Sequence, residues 1–582
     1  MPTRRRFVAG GFAALAAGLA ARGALGRLLG PGPEDGDDPP CPGGAADFGA
    51  PAARWTHPIL DIGEHTPSDM IDGLPFARDW LGDWFPPASI PFHHGETGYP
   101  GGSPPPASES RDIVIIGGGL SGLAAAYQLR RHRPVLLELH SRFGGTCQGE
   151  EWSEIPYSLG GAYFITPDEG SSLEALYQEL GLDRIVRVSP NSEDPTELNG
   201  SIQPDFWDDP TRDPLERMAF AQYRALVQRY VDQYPDIPLD PLADNSWILE
   251  LDQVSLRDHV HRELVVPVPP VLQAAVQGYC YSSFNAGWEE ISAAAGWNFV
   301  AAEEFGRWVL PGGNASLVAA LWARLLEMER RHGRGPGEFL RGGCRAVEVR
   351  RLGLDDCRVT YKDAVGGFRT IACKRVVICA PKHVARQLLP DLAASDPAKL
   401  GAMYRIHTAG YVVANVLLSR RVARRYYDLF LLGDGRFPED MGADDFLKIT
   451  DCVNGHYALR RGRHGRDVLT LYWPLPFTTS RFRLIADDSR DAFAHLLAQQ
   501  IDTMLTILGL GRRDVRQVRL ARWGHSMPIA SPRLLSDGVV DELRRPFQDQ
   551  IHFVHCDNWG LPAVETCLLE AEALAPKIER GL

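Results

Sequence analysis

Residues Asp112-Ile113-Val114-Ile115-Ile116 form a β-branched run of the kind found in a strand buried on both faces of a parallel sheet. Gly117, Gly119 and Gly122 follow at once as GxGxxG, and Leu120, Leu123, Ala124 and Tyr127 then repeat at helical spacing. The glycines therefore sit where a strand turns into a helix. A turn free of Cβ atoms lets backbone N–H groups around Leu120 and Ser121 approach a pyrophosphate, and the helix N-terminus adds roughly half a positive charge. A second strand, Val135–Leu137, ends in Glu138, which lies 21 residues after Gly117. That is close to the ~20 residues expected of the acid that accepts both hydroxyls of an adenosine ribose. Strand, glycines, helix, strand and acid in register predict an α/β fold that binds a dinucleotide.

The rest of the chain narrows the ligand. Its 582 residues are 44% hydrophobic and 23% charged, enough for several domains and for an ordinary buried core. A formal net charge of −13 disfavours nucleic acid and anionic lipid, which are attracted to Lys/Arg surfaces, so a small-molecule substrate is expected. The ten cysteines include no CxxC pair, and His93-His94 and the other histidines lack metal spacing, so no metal is expected.

Arg142-Phe143-Gly144-Gly145 continues from Glu138 as ExxxRxGG, and Tyr157-Ser158-Leu159-Gly160-Gly161-Ala162-Tyr163-Phe164 follows. With Leu310-Pro311-Gly312-Gly313-Asn314, the buried strand pattern at 375–381 and the run Cys556-Asp557 before a C-terminal helix, these segments resemble the flavin amine oxidase and phytoene desaturase superfamily. The resemblance implies a bipartite FAD-binding Rossmann-like domain of the glutathione-reductase-like type, interleaved with an α+β substrate domain. On that basis 109–170, 305–399 and 516–582 are assigned to the cofactor, and 171–304 and 400–515 to the substrate. It further implies that Glu138 holds the ribose, and that Arg142, Gly144 and Gly145 lie along the nucleotide. Gly160, Gly161 and Ala162 would run beneath the isoalloxazine, Val347 would meet the adenine through its backbone, and Asp557 would bond the ribityl or pyrophosphate. Val564 would begin the helix that points at flavin N1/O2.

Departures bear on the chemistry. Many amine oxidases carry a lysine near flavin N5 in a strand that aligns with Tyr411–Leu418. None occurs here, and Ala414 and Asn415 are the nearest candidates. No cysteine falls in 522–528, so a non-covalent FAD is expected. Trp523 and Trp559 flank cofactor motifs and are the near-flavin candidates for catalysis; Trp288 and Trp297 are weaker pocket candidates. The expected reaction is hydride transfer from an amine to flavin N5, with oxygen or another acceptor reoxidising the flavin. A desaturase or isomerase acting on an apolar substrate shares the cofactor motifs, and a flavin-holding partner protein without turnover is the third reading.

Arg4-Arg5-Arg6-Phe7 before a soft apolar run at 8–21 resembles a twin-arginine export signal, shorter than the ~20 residues of a membrane span. This implies a signal peptide over 1–30 and a periplasmic location, with no stable membrane span after export. Residues 31–108 are dense in Pro, Gly and Asp yet carry Trp55, Trp80, Trp84, Phe85 and Phe92, so an arm packed on the body and a flexible linker are both open.

Overall fold

A computed structural model describes residues 57–64, 66–83, 99, 102–190, 194–423, 426–436, 448–459, 465–475, 480–486 and 488–582. The arginine-rich start, Trp55, Trp84, Phe85, Phe92 and His93-His94 lie outside the described residues.

The β-branched run is the end of the strand Ala107–Ile116, which stands parallel between Val135–Leu137 and Phe368–Ile378. Leu340–Arg341 and Ile551–Phe553 add further parallel pairs, and Asp356–Lys362 with Arg345–Gly353 turns back antiparallel. Period-two alternation sends Ile113 and Ile115 to one face, among Leu123, Leu321 and Leu568 of three covering helices, Leu120–Gln128, Asn314–His332 and Val564–Glu579. Val114 and Ile116 go to the other face, into the cluster of Ile371, Val376 and Phe553. Each such side chain, fully buried, stabilises the fold by about 1.5–3 kcal/mol, which accounts for a polar-free run in a central strand.

A second sheet has nine strands: Ser201–Gln203, Thr196–Leu198, Phe430–Leu431, Asp451–Asn454, Asp467–Pro474, Tyr411–Leu418, Val515–Trp523, Leu74–Gly82 and Ser68–Ile71, in that order. Residues 68–82 are thus a hairpin on this sheet, with Leu74–Gly82 parallel to Val515–Trp523. Val515–Trp523, grouped with the cofactor segments by sequence, pairs instead with Tyr411–Leu418. Its alternation explains this: Val518 and Leu520 pack with Val412, Ala414 and the helix Ser489–Ile507, whereas Ala521 and Trp523 pack with Tyr411, Val413, Tyr157 and Leu159 on the opposite face. That opposite face looks toward the cofactor segments.

Helices Pro214–Asp232, Ser246–Asp252, Leu256–Glu263, Pro270–Phe284 and Ala293–Glu303 make a helical layer. Trp288 and Trp297 belong to its core rather than to a pocket, both being fully buried, and the Trp297 indole donates to His259 Nδ1 at 3.2 Å. Among the described residues no helix is long and apolar enough to cross a membrane.

Candidate active site

A cavity of about 3470 Å³ runs from the glycine turn to the inner face of the second sheet. At its first end a Cβ on Gly122 would sit 1.7 Å from the Gly117 carbonyl oxygen, so only glycine lets the helix start this close to the strand. The helix Leu120–Gln128 has no side-chain cap and no acid in its first turn, leaving its N–H groups for an anion. Gly117, Gly119, Leu120, Ser121 and Glu138 line the cavity. Glu138 accepts the N–H of Gly118 at 2.6 Å and of His140 at 2.8 Å, while burial pushes its carboxyl above the usual range.

Gly144 donates to the Gly118 carbonyl at 2.9 Å, which lays the 142–145 segment on the glycine turn, and Gly145 faces the cavity. Arg142 also borders it, but its guanidinium donates to the carbonyls of Pro58, at 3.1 Å, and Gly149. It fastens the strand Ile59–Asp61 to its neighbour Gly149–Trp152. On the strand Arg345–Gly353 the cavity wall is Arg345 and Ala346, preceded by Cys344; Val347 is buried and does not reach it. Val347, whose backbone the resemblance places against the adenine, falls at an irregularity in the pairing of this strand with Asp356–Lys362, between Ala346 and Glu348.

At the ring end, the backbone from Ser158 to Ala162 is held carbonyl by carbonyl. Asn415 Nδ2 donates to Ser158 at 3.1 Å, the Trp523 indole to Leu159 at 2.7 Å and the Tyr472 hydroxyl to Gly160 at 2.6 Å. The Ser158 hydroxyl donates to Gly161 at 2.7 Å and the Tyr427 hydroxyl to Ala162 at 3.1 Å. Gly160 cannot carry a side chain, since a Cβ would lie 1.9 Å from the Thr146 carbonyl oxygen. Trp523 is therefore a clamp on the Gly160-Gly161 segment. Trp559 lines the cavity with its indole N–H given to Glu570.

Asp557 accepts the Lys382 N–H at 2.7 Å and faces His555 Nδ1 at 3.0 Å. Against the upward push of burial, His555 and Lys382 hold its carboxyl well below the usual range. Val564 opens the helix Val564–Glu579, whose cap residue Ala563 has no side-chain acceptor to offer, and Glu565 ties that helix start to Ile165 N–H at 2.8 Å. Asn314 Oδ1 and Thr566 Oγ1, on residues that line the cavity, are buried without a hydrogen-bond partner among the described residues. Uncapped helix starts, the Glu138 carboxylate, a flat glycine floor and these orphaned acceptors fit an FAD laid from Gly117 to Val564.

Beyond the glycine floor, Tyr411 and Val413 are the residues of Tyr411–Leu418 that face the cavity, so an apolar side chain occupies the inner wall expected near Ala414 and Asn415. Asn415 is spent on Ser158 and on Thr470, whose hydroxyl donates at 2.7 Å. Glu303 and Asp451 reach the same chamber. Behind them Arg307, fully buried, meets Asp194, Glu303 at 3.6 Å and Asp428 at 3.7 Å. Burial, with Asp428 adding to it against the hydrogen bond from Tyr163, pushes Glu303 up to about 8, and burial with Asp428 raises Asp451 well above its ordinary value. Sequence reasoning missed Glu303, Asp451 and Arg307, because each sits in an unremarkable local pattern and their meeting is purely tertiary.

The fold and cradle define an FAD-dependent oxidoreductase built on two sheets. Residues 120–470 match the flavin containing amine oxidoreductase family model. The chain is 24% identical over 538 residues to the oxidoreductase PigB of Serratia sp., covering 82% of this chain and 76% of that protein. It is 28% identical over 162 residues to the flavin-containing amine oxidase A of Bos taurus, covering 27% and 29% of the two chains. Putrescine oxidase, in a structure bound to putrescine, superposes with a TM-score of 0.56 at 15% identity, covering 81% of this chain and 99% of that one. Cyclohexylamine oxidase from Brevibacterium oxydans gives 0.57 at 16% identity with the same coverage. The chain belongs to the flavin containing amine oxidoreductase family.

Proposed function

We propose that the protein oxidises an amine at the carbon beside nitrogen, with a non-covalent FAD as the immediate electron acceptor and oxygen or another oxidant restoring it. The observation that carries this reading is the charge of the chamber. Asp168, Glu169, Asp232, Asp236, Asp240 and Glu304 line the cavity outside the cofactor cradle and carry that charge, while Glu303 and Asp451 line it within as carboxyls that burial holds toward the protonated form. Among the described residues lining 165–174, 228–242 and 302–305 there is no lysine or arginine. Such a wall concentrates cations and disfavours carboxylate substrates.

Flavin supplies the two-electron chemistry when bound. The chain's residues do the rest: Tyr411, Tyr472 and Val413 exclude water over the glycine floor, and Asp451 and Glu303 receive the nitrogen end. A cation beside Glu303 favours its ionised form, so substrate entry and proton release from this carboxyl are linked. The apolar Val413 in place of a lysine favours one competing reading, dehydrogenation of an apolar substrate.

Anaerobic addition of polyamines, monoamines or amino acids is expected to bleach the flavin absorbance. Bleaching by apolar isoprenoids alone would overturn the amine reading. Acid precipitation is expected to release the yellow chromophore into the supernatant; a yellow pellet would refute non-covalent binding. Export by the twin-arginine route is part of this proposal on the Arg4-Arg5 motif, and replacing both arginines by lysine is expected to retain the protein in the cytoplasm.

A further inference from the structure

Two histidines that none of the cofactor motifs include meet on the cavity wall. His383 lies in the short helix Lys382–Leu388, and His525 follows Trp523 by two residues. Their rings stack with centroids 3.7 Å apart and planes at 23°, and both line the cavity. His525 is fixed. Its Nδ1 lies 2.7 Å from Thr408 Oγ1, and Arg481 Nη1 approaches that hydroxyl at 3.3 Å and the same Nδ1 at 3.4 Å. A guanidinium only donates, so Nδ1 of His525 is an acceptor and its proton sits on Nε2. Asp83 accepts the Gly524 N–H at 2.7 Å and pins the turn that carries the ring.

His383 differs. It has no hydrogen-bond partner among the described residues, and its ring contact is the stack on His525. The charged and titratable groups around it are His525, Asp557, Arg386 and His555; burial first, then His525, keep it well below the ordinary imidazole value, so it is neutral with a lone pair available.

We propose that His383 accepts the proton that a substrate sheds during dehydrogenation, with His525 as its positioning residue. The inference rests on the redox reading of the site and not on the amine in particular. A two-electron dehydrogenation breaks one C–H bond, whose hydrogen leaves with both electrons as hydride to the flavin. It also breaks an N–H or C–H bond on the neighbouring atom, whose electron pair becomes the new double bond and whose proton needs an acceptor. The imidazole of His383 takes that proton and later returns it to solvent, and the low basicity that burial and His525 impose keeps the proton from being trapped there.

The test is stopped-flow anaerobic reduction of H383A and H383Q, each at wild-type flavin content, with whichever panel substrate bleaches the wild type, amine or apolar. H383A is expected to lower the limiting rate constant by about 100-fold or more and to abolish the acid limb of its pH profile. H525F, which keeps a ring to stack on, is expected to shift that limb with a smaller loss. A wild-type rate or an unchanged acid limb in H383A overturns the proposal. Should no substrate reduce the wild type, the amine reading fails, and carbethoxylation followed by ultraviolet absorbance still decides on His383. H383A is expected to take up one group fewer than the wild type, and equal uptake refutes an accessible neutral imidazole at that position.

Discussion

Replacing Glu303 with glutamine tests the acidic chamber without touching the cofactor cradle. Glu303 is buried, its carboxyl is pushed from 4.5 up to about 8, and its Oε1 accepts the Tyr163 hydroxyl at 2.9 Å, a bond the glutamine carbonyl can keep. A folded-state value raised above the unfolded one means that the folded chain holds the proton more tightly. The contribution to stability is therefore full below pH 4.5, falls as pH rises, and is lost above about pH 8. With about 1.36 kcal/mol per unit, the wild type forfeits about 5 kcal/mol across that window, and Glu303→Gln does not. At roughly 2.1 cal/mol/K per residue the unfolding entropy of this chain is about 1.2 kcal/mol/K, so the difference corresponds to about 4 °C. Thermal unfolding followed by tryptophan fluorescence should give equal apparent Tm values at pH 5 and a variant about 4 °C higher at pH 9. A gap that does not widen with pH would refute the account. The same variant should raise KM for a cationic substrate, because the carboxylate that forms beside the cation is gone.

Gly122→Ala should yield protein without flavin, read from the ratio of visible to ultraviolet absorbance, since its Cβ would meet the Gly117 carbonyl oxygen at 1.7 Å and force the helix start away from the strand. Glu138→Gln removes the charge that the resemblance assigns to the ribose and should weaken FAD affinity by about 10- to 100-fold in fluorescence titration, in line with about 1.5–3 kcal/mol for charge-assisted hydrogen bonds. Arg519→Met leaves Glu150 buried without its bonds from Arg519 at 2.6 and 2.8 Å, and should cost about 3–5 kcal/mol in urea unfolding. Adding Glu150→Gln to that variant removes the stranded charge and should recover part of the loss.

The cradle is legible in the sequence because its physics is local. A β-branched strand, a turn without Cβ atoms and an acid at the end of the next strand are neighbours along the chain, and Gly117, Gly119, Ser121 and Glu138 all border the cavity. Helix positions are legible for the same reason: the helical spacing of Leu120, Leu123, Ala124 and Tyr127 corresponds to the helix Leu120–Gln128. Tertiary partnerships are not. Alternation in Val515–Trp523 marks a strand with two different faces but says nothing about which sheet receives it. Proximity to a motif makes Trp523 a near-flavin candidate, and it does line the cavity, but the bond of its indole N–H to Leu159 is a tertiary contact that the sequence does not reveal.

The Pro/Gly-rich N-terminal region shows the same limit from the other side. Its composition leaves an arm packed on the body and a flexible linker both open, and over 68–82 it is an arm: Leu74–Gly82 covers the edge of Val515–Trp523, and Asp83, next in sequence, fixes the turn that carries His525. Arg519 of the covered strand reaches back to Glu150 and to Asp79 of the covering one. The cofactor floor depends on this sheet as well, because Asn415, Trp523 and Tyr472 are what hold the carbonyls of Ser158, Leu159 and Gly160. The glycine turn has a backbone geometry that its own segment dictates. The ring end has no such autonomy: its backbone is shaped by side chains of the substrate-side sheet, so a change in that sheet, even at its N-terminal edge, acts on where the reacting ring lies.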